Sequence, residues 1–398
     1  MGYLEENREL DRHVFLDLVR AVALFGIALV NVAYFAFPGE ITYFHGGLDG
    51  PVDGAAAFAI DALFLFKSYT LFSIVFGVGL ALQMASAERR GAAFGPRHFR
   101  RTLGLLLLGL LHVTIAFVGD ILIVYALIGA LLFLFRNLSA RALLRWGAGF
   151  LCLQLLVAAL FAGATTMGET FDPAGMAATS RRLGERMDAA ATIYANGGFV
   201  EIAAQRWRDW TGYALFVVPL QGPGVLAFFL FGLAGVRSGT ALDPAAALWR
   251  RARWPLLPVG LVVSLIGAWR IHVSADPLSG AGLTGTVLIL LGAPFSSLGY
   301  LGLLAKWTTG PMTPAKRFLA RAGTASLSAY LLQSLILSLV FCGYGLGLYG
   351  RVGAAGCVAI GAAAGAASLV ALGLWRTRFA RGPAEALLRR WTYLGGGR

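Results

Sequence analysis

The chain has 398 residues, of which 58% are hydrophobic and only 13% charged, with a mean hydropathy of +0.72. Soluble domains carry about 25% charged residues, so this composition excludes an ordinary water-soluble globule. The net charge of +13 would suit a nucleic-acid partner, but it is spread over short stretches between apolar segments, as membrane topology requires.

Ten segments are long and apolar enough to cross a bilayer: 15–37, 58–84, 102–118, 121–135, 143–164, 213–236, 255–270, 283–304, 325–344 and 352–374. Lipid offers no partner to open backbone groups, so each is expected to be helical. The fold class is therefore all-α, a polytopic membrane bundle of about ten transmembrane helices with residues 1–398 as a single membrane domain. The first segment follows a mixed-charge tail and lacks an Ala-x-Ala exit, so it reads as a retained signal anchor. Segments three and four are joined only by Gly119-Asp120, which predicts a tight helical hairpin. Between segments five and six lies the only sizeable extramembrane stretch, 165–211, expected to form one or two amphipathic helices over the outer face.

With the N-terminus inside, alternate connections place most of the 33 Lys and Arg on the inner side, so both termini are expected in the cytoplasm. Residues 376–394 look like an interfacial amphipathic helix bound to membrane lipid, with Pro383 opening it and Leu387, Leu388 and Trp391 on one face. Cys152, Cys342 and Cys357 show no metal or disulfide spacing and read as small core residues.

The few polar groups inside apolar segments carry the functional signal, because an ionisable side chain at membrane depth costs about 2.5–3.5 kcal/mol or more. Asp17 and Arg20 form an i,i+3 pair where the first segment begins. Asn31 is placed to bond across helices or to polarise a carbonyl. His45 lies in an outer loop, and Asp61 is expected to be a solvated end residue. Lys67, about 13 Å deep by helix rise, needs an acid, a phosphate or a water-filled cavity. His112 carries imidazole, the usual general base. Asp120 suits the N-cap of the next helix, and helix rise puts it about two turns above His112 rather than beside it. His112 and Asp120 then form one wall of an outward-side polar pocket, with Lys67 and Asn31 opposite. Gln333 with Ser326, Ser328, Ser334 and Ser338 gives segment nine a polar side, for packing or for a cavity. No Walker loop, dinucleotide fingerprint or zinc motif is present, so ATP-driven transport and zinc chemistry are unsupported.

Leu16-Asp17-Leu-Val-Arg20 through Asn31, Lys67-Ser-Tyr-Thr-Leu-Phe72-Ser73, Gly109-Leu-Leu-His112 with Gly119-Asp120, Ser328-Ala-Tyr330-Leu-Leu-Gln333-Ser334 and Gly382-Pro383 with Trp391-Thr392-Tyr393 resemble the YeiB-type (DUF418) bacterial membrane proteins in order along nearly the whole chain. That family is distantly similar to transmembrane acyltransferases of the heparan-glucosaminide and acyltransferase-3 kinds. The resemblance implies an inner-membrane enzyme that moves an acyl group from cytosolic acyl-CoA to an acceptor hydroxyl or amine on a glycan, lipid or small molecule. His112 or His45 would be the catalytic histidine, with Asp120, Lys67 and Asn31 assisting and Arg20, Arg100 and Arg101 attracting the donor's phosphates. A secondary transporter with a Lys67/His112/Asp120 relay is the competing expectation, and a lipid-binding or assembly protein the third. A homo-oligomer is compatible with all three.

Overall fold

The computed structural model describes residues 14–37, 50–274 and 276–394, and among them every regular element is helical. His45, Arg8 and Arg12 lie outside the described residues. In chain order the main helices are α1 (Val14–Ala36), α2 (Pro51–Leu63), α3 (Lys67–Arg89), α4 (Phe94–Ile115), α5 (Leu122–Leu132), α6 (Ala140–Phe171), α7 (Pro173–Asn196), α8 (Phe199–Arg237), α9 (Ala247–Arg251), α10 (Leu257–His272), α11 (Gly280–Thr309), α12 (Pro314–Gly323), α13 (Ser326–Phe341), α14 (Ala354–Arg378) and α15 (Pro383–Thr392). Each of the ten apolar segments is mainly helical. Among the described residues, seven helices are long and apolar enough to cross a membrane, or eight if α12 and α13, bent by 83°, count as one span. The shorter α5 and the arginine-bearing α4 do not reach that standard alone. They pack as a pair.

Close packing rests on small residues. At the crossing of α3 and α8, a Cβ on Gly77 would lie 2.1 Å from the Phe229 carbonyl oxygen, and one on Gly232 would lie 2.1 Å from that of Ile74. Only glycine lets these backbones approach so closely, the usual means of joining helices where lipid removes the hydrophobic drive. The fold has two distinguishable ends. One gathers Arg20, Arg101, Arg136, Arg237 and the α14–α15 turn, where the Arg237 side chain donates to the Arg136 carbonyl. The other carries α7, the start of α8 and the segment after α13.

Segment two is not one straight helix: it breaks at residues 64–66, where Phe66 adopts a left-handed φ of 62°. Nothing in Leu63-Phe64-Leu65-Phe66 signals a break by composition, and the freed backbone is satisfied from outside. The Tyr300 hydroxyl donates to the Leu63 carbonyl, and the Ser297 hydroxyl to that of Lys67. Irregular backbone at membrane depth survives only when buried in protein this way. Across the stretch 165–211, α6 runs on to Phe171 and α8 begins at Phe199, so that α7, capped by Asp172, is the one separate helix there.

The C-terminal helix α15 is docked on the bundle rather than merely laid on a surface. Leu388 is buried against the core while Leu387 is 59% exposed, so the two do not share a face. Trp391 donates its indole N–H to the Arg100 carbonyl. Glu385 receives the backbone N–H of Leu327 at 2.7 Å and of Ser328 at 3.2 Å, capping the start of α13 with a charge that its dipole favours. Cys342 and Cys357 are buried as expected, but Cys152 is exposed on the apolar outside of α6.

Candidate functional site

Helix α4 ends at Ile115, one turn past His112, and the chain reverses over residues 116–121 before α5. Phe117 anchors the reversal by stacking on Phe35 of α1 at 4.4 Å. The turn folds down into the bundle, so Asp120 stands beside His112 and not two turns above it. Its Oδ2 lies 2.7 Å from His112 Nδ1, and its Oδ1 accepts the Ile123 N–H at 2.8 Å. Asp120 therefore caps α5 and holds the histidine at once. The contact needs Gly109, one turn before His112, since a Cβ there would lie 2.8 Å from Asp120 Oδ1 and 2.7 Å from the Ile123 side chain.

Both members of the pair are buried, His112 at 4% exposure and Asp120 at 0%. A carboxylate only accepts, so Nδ1 is the donor in this contact, and a neutral imidazole would carry its lone pair on Nε2. That Nε2 is buried and has no hydrogen-bond partner among the described residues. The Tyr330 ring of α13 lies 5.0 Å from the imidazole, and the Ile121 N–H points to its hydroxyl at 3.5 Å.

Three cavities lie in a row through this region. The central one, about 80 Å³, is lined by Asp120, Asn31, Ser68, Tyr69, Gln221 and Tyr330. Tyr330 also walls a second, of about 270 Å³ at the arginine-rich end, with Arg20, Arg101, Phe72, Phe76 and Glu385. Tyr34 and Tyr213 of the central cavity likewise wall a third, of about 260 Å³ at the opposite end, with Arg186, Arg208, Asp209 and Tyr349. Tyrosine rings thus stand at both partitions.

The sequence-predicted residues divide between places. Asn31 and Asp120 share the central cavity. Arg20, paired with Asp17, and Arg101, whose guanidinium sits over the Phe76 ring, share the arginine-end cavity. Arg100 points elsewhere, to the Leu394 carbonyl. Lys67 does not line the central cavity: it begins α3 at the helix break, where its Nζ donates to the Asp61 carbonyl at 3.3 Å. Asp61, expected to be solvated, is 2% exposed and bound to His272 at 3.2 Å. The polar side of segment nine serves several ends. Ser328 meets Glu385, Ser326 lines the arginine-end cavity, and both polar atoms of Gln333 are buried without a partner among the described residues.

Sequence reasoning missed Arg206, counted as a residue of the outer loop. It is 1% exposed on α8, and its guanidinium donates to the Thr114 and Ile115 carbonyls of α4, to Ser338 and to Tyr344. It thereby satisfies the open carbonyls at the end of the helix that carries His112. The available signal was an arginine next to Trp207 and near Trp210, just before an apolar segment.

Fold and site together define an integral membrane protein of the all-α helical-bundle class, with a buried His–Asp pair of which Asp120, but not His112, lines the central cavity. Residues 237–395 match the family described as protein of unknown function (DUF418). The chain is 32% identical over 412 residues to the uncharacterized protein YxaH of Bacillus subtilis (strain 168), covering 99% of this chain and 97% of that one. It is 28% identical to the uncharacterized protein YeiB of Escherichia coli (strain K12), covering 98% of each. An uncharacterized 39.9 kDa protein in the amylase 3′ region of Bacillus acidopullulyticus is 31% identical over 180 residues, 43% of this chain. The chain belongs to the YeiB-like DUF418 family. No solved structure matches it.

Proposed function

We propose that the protein is a membrane acyltransferase that passes an acyl group from cytosolic acyl-CoA to an acceptor hydroxyl or amine. The observation that carries this reading is the buried His112, held by Asp120 through Nδ1 with Nε2 unpartnered. A histidine oriented by a carboxylate with its other nitrogen free is the arrangement a general base needs. In the proposed step Nε2 removes the acceptor proton as the acceptor oxygen or nitrogen attacks the thioester carbonyl. The C–S bond then breaks, and the imidazolium returns its proton to the departing thiolate. Asn31, on the same cavity as Asp120, is the candidate donor to the oxyanion. Lys67 lies away from that cavity and is not given this role.

Arg20 and Arg101 supply guanidinium groups suited to phosphate in the arginine-end cavity. Its volume of about 270 Å³ falls below that of a typical drug-sized pocket, about 300 Å³ upward, so it suits an acyl thioester arm rather than a whole nucleotide. In this reading the donor approaches from the arginine-rich end, taken as the cytoplasmic side on the positive-inside pattern, with both termini there and the bundle in a bacterial inner membrane. Purified protein given acyl-CoA should release free thiol in the presence of an acceptor-containing membrane extract, and His112→Gln should abolish the release. Unchanged release in that variant would contradict the reading.

A secondary transporter remains the second reading because of one feature, the helix broken at Phe66 with Asp61 and Lys67 buried beside it and the partly buried His272 bound to Asp61. Broken helices with buried ionisable groups are a common transporter device. Solute counterflow in proteoliposomes without acyl transfer would favour it.

A further inference from the structure

At the arginine-rich end, outside the cavities described above, an open basin of about 850 Å³ lies between the α3–α4 turn and the α14–α15 turn. Arg90, Arg97, Arg381, Arg389 and Arg390 line it with Tyr393, and among the described residues no carboxylate does. Positive charge at this end follows from topology alone, but three details go further. Arg97 and Arg389 both hold their guanidinium groups over the Tyr393 ring, at 5.3 and 4.8 Å, so part of their side-chain freedom is already lost before anything binds. Of the acids nearest in sequence, Glu88 does not line the basin and Glu385 is committed to α13 through both oxygens. One wall is the stacked pair Trp375 and Phe379, exposed where the membrane-spanning α14 ends, the level at which aromatic rings meet headgroups.

We propose that this basin binds a phosphate-bearing anion, the headgroup of an anionic phospholipid being the source its apolar rim favours and a soluble organic phosphate the other. Guanidinium forks match phosphate oxygens in pairs, and a ligand with two or more negative charges would relieve the mutual repulsion of the five arginines. The acyl-transfer reading is not needed for this site, and either can fail alone.

The test uses the full-length protein in neutral detergent. Native mass spectrometry compares retention of cardiolipin with phosphatidylcholine, and calorimetry measures binding of inorganic pyrophosphate. The double variant Arg381→Gln/Arg390→Gln, at two exposed positions, is set against Arg141→Gln/Arg145→Gln, which removes the same charge from the exposed start of α6. Melting temperatures check that both remain folded. Loss of about ten-fold or more in the first variant only is expected, at roughly one arginine's surface attraction per substitution. Preference for cardiolipin without pyrophosphate binding assigns a lipid, and binding of both admits a soluble phosphate. Equal weakening in the two variants, or no preference for cardiolipin and no pyrophosphate binding, overturns the site.

Discussion

Asp120 does two jobs with two oxygens, and they can be separated. In Asp120→Asn the carbonyl oxygen can still accept the Ile123 N–H, so the cap persists. The amide then faces His112 Nδ1 as a donor and draws the proton to Nε2, the wrong tautomer for a base. We expect transfer to fall by about 10²- to 10⁴-fold, with a melting temperature close to that of the parent. Asp120→Ala should also lose about 1 kcal/mol of stability, the usual value of a cap, measurable by thermal unfolding in detergent. A second residue-scale prediction concerns Asp209 on the extramembrane part of α8, which accepts from Tyr194 and Gln205, both at 2.7 Å. Burial, opposed in part by these bonds, raises its carboxyl above the ordinary value of 3.8. The folded state thus favours the neutral acid. Its contribution to stability is complete below about 3.8 and is lost as pH rises through the raised value. The melting temperature of the parent should therefore fall relative to Asp209→Asn as pH climbs from about 4 to neutrality, and parallel curves would refute the assignment.

At the scale of elements, the α4–α5 hairpin depends on how closely two backbones approach. Gly109→Ala places a methyl group 2.7 Å from Ile123 and 2.8 Å from Asp120, so one of them must move. A cost of about 1–3 kcal/mol is expected from overpacking, with transfer reduced more than stability because the displaced group holds His112. Thermal unfolding and turnover, measured side by side, check the ratio. Glu385→Ala should loosen α13 from α15 by about 1–3 kcal/mol, since the Leu327 and Ser328 N–H groups lose their acceptor. The helices themselves were legible in the sequence because lipid makes hydropathy a direct readout of span position. His112 and Asp120 were legible for the same reason, as expensive groups in an apolar run. Their contact was not, because helix rise assumes that the chain continues upward, whereas residues 116–121 turn back. Arg206 and Asp61 were hidden by a similar assumption, that charge near a segment end meets water. The break at Phe66 carries no Pro or Gly and depends on Ser297 and Tyr300, more than 200 residues away.

For the whole molecule, the arrangement is a bundle with unlike ends joined by a row of cavities that tyrosine rings interrupt. Tyr330 separates the arginine-end cavity from the central one, while Tyr34 and Tyr213 separate the central one from the far side. Under the acyl-transfer reading, a donor bearing phosphates and an acceptor from the other face would meet in the central cavity, at the Asp120 side of the pair. The orientation this requires is checked by a green fluorescent protein fused after Arg398, which should fluoresce because the C-terminus is expected in the cytoplasm. A dark fusion with intact expression would reverse the assignment.

The most direct test of the central claim follows the acyl group itself. Membrane vesicles with the arginine-rich face outward are incubated with acyl-CoA labelled in the acyl chain, and label is traced into lipid, glycan and small-molecule fractions. The account predicts transfer above that of vesicles lacking the protein, lost in His112→Gln and Asp120→Asn while both variants remain folded. Equal transfer by the parent and His112→Gln, or none above empty vesicles with any acyl donor, would contradict it.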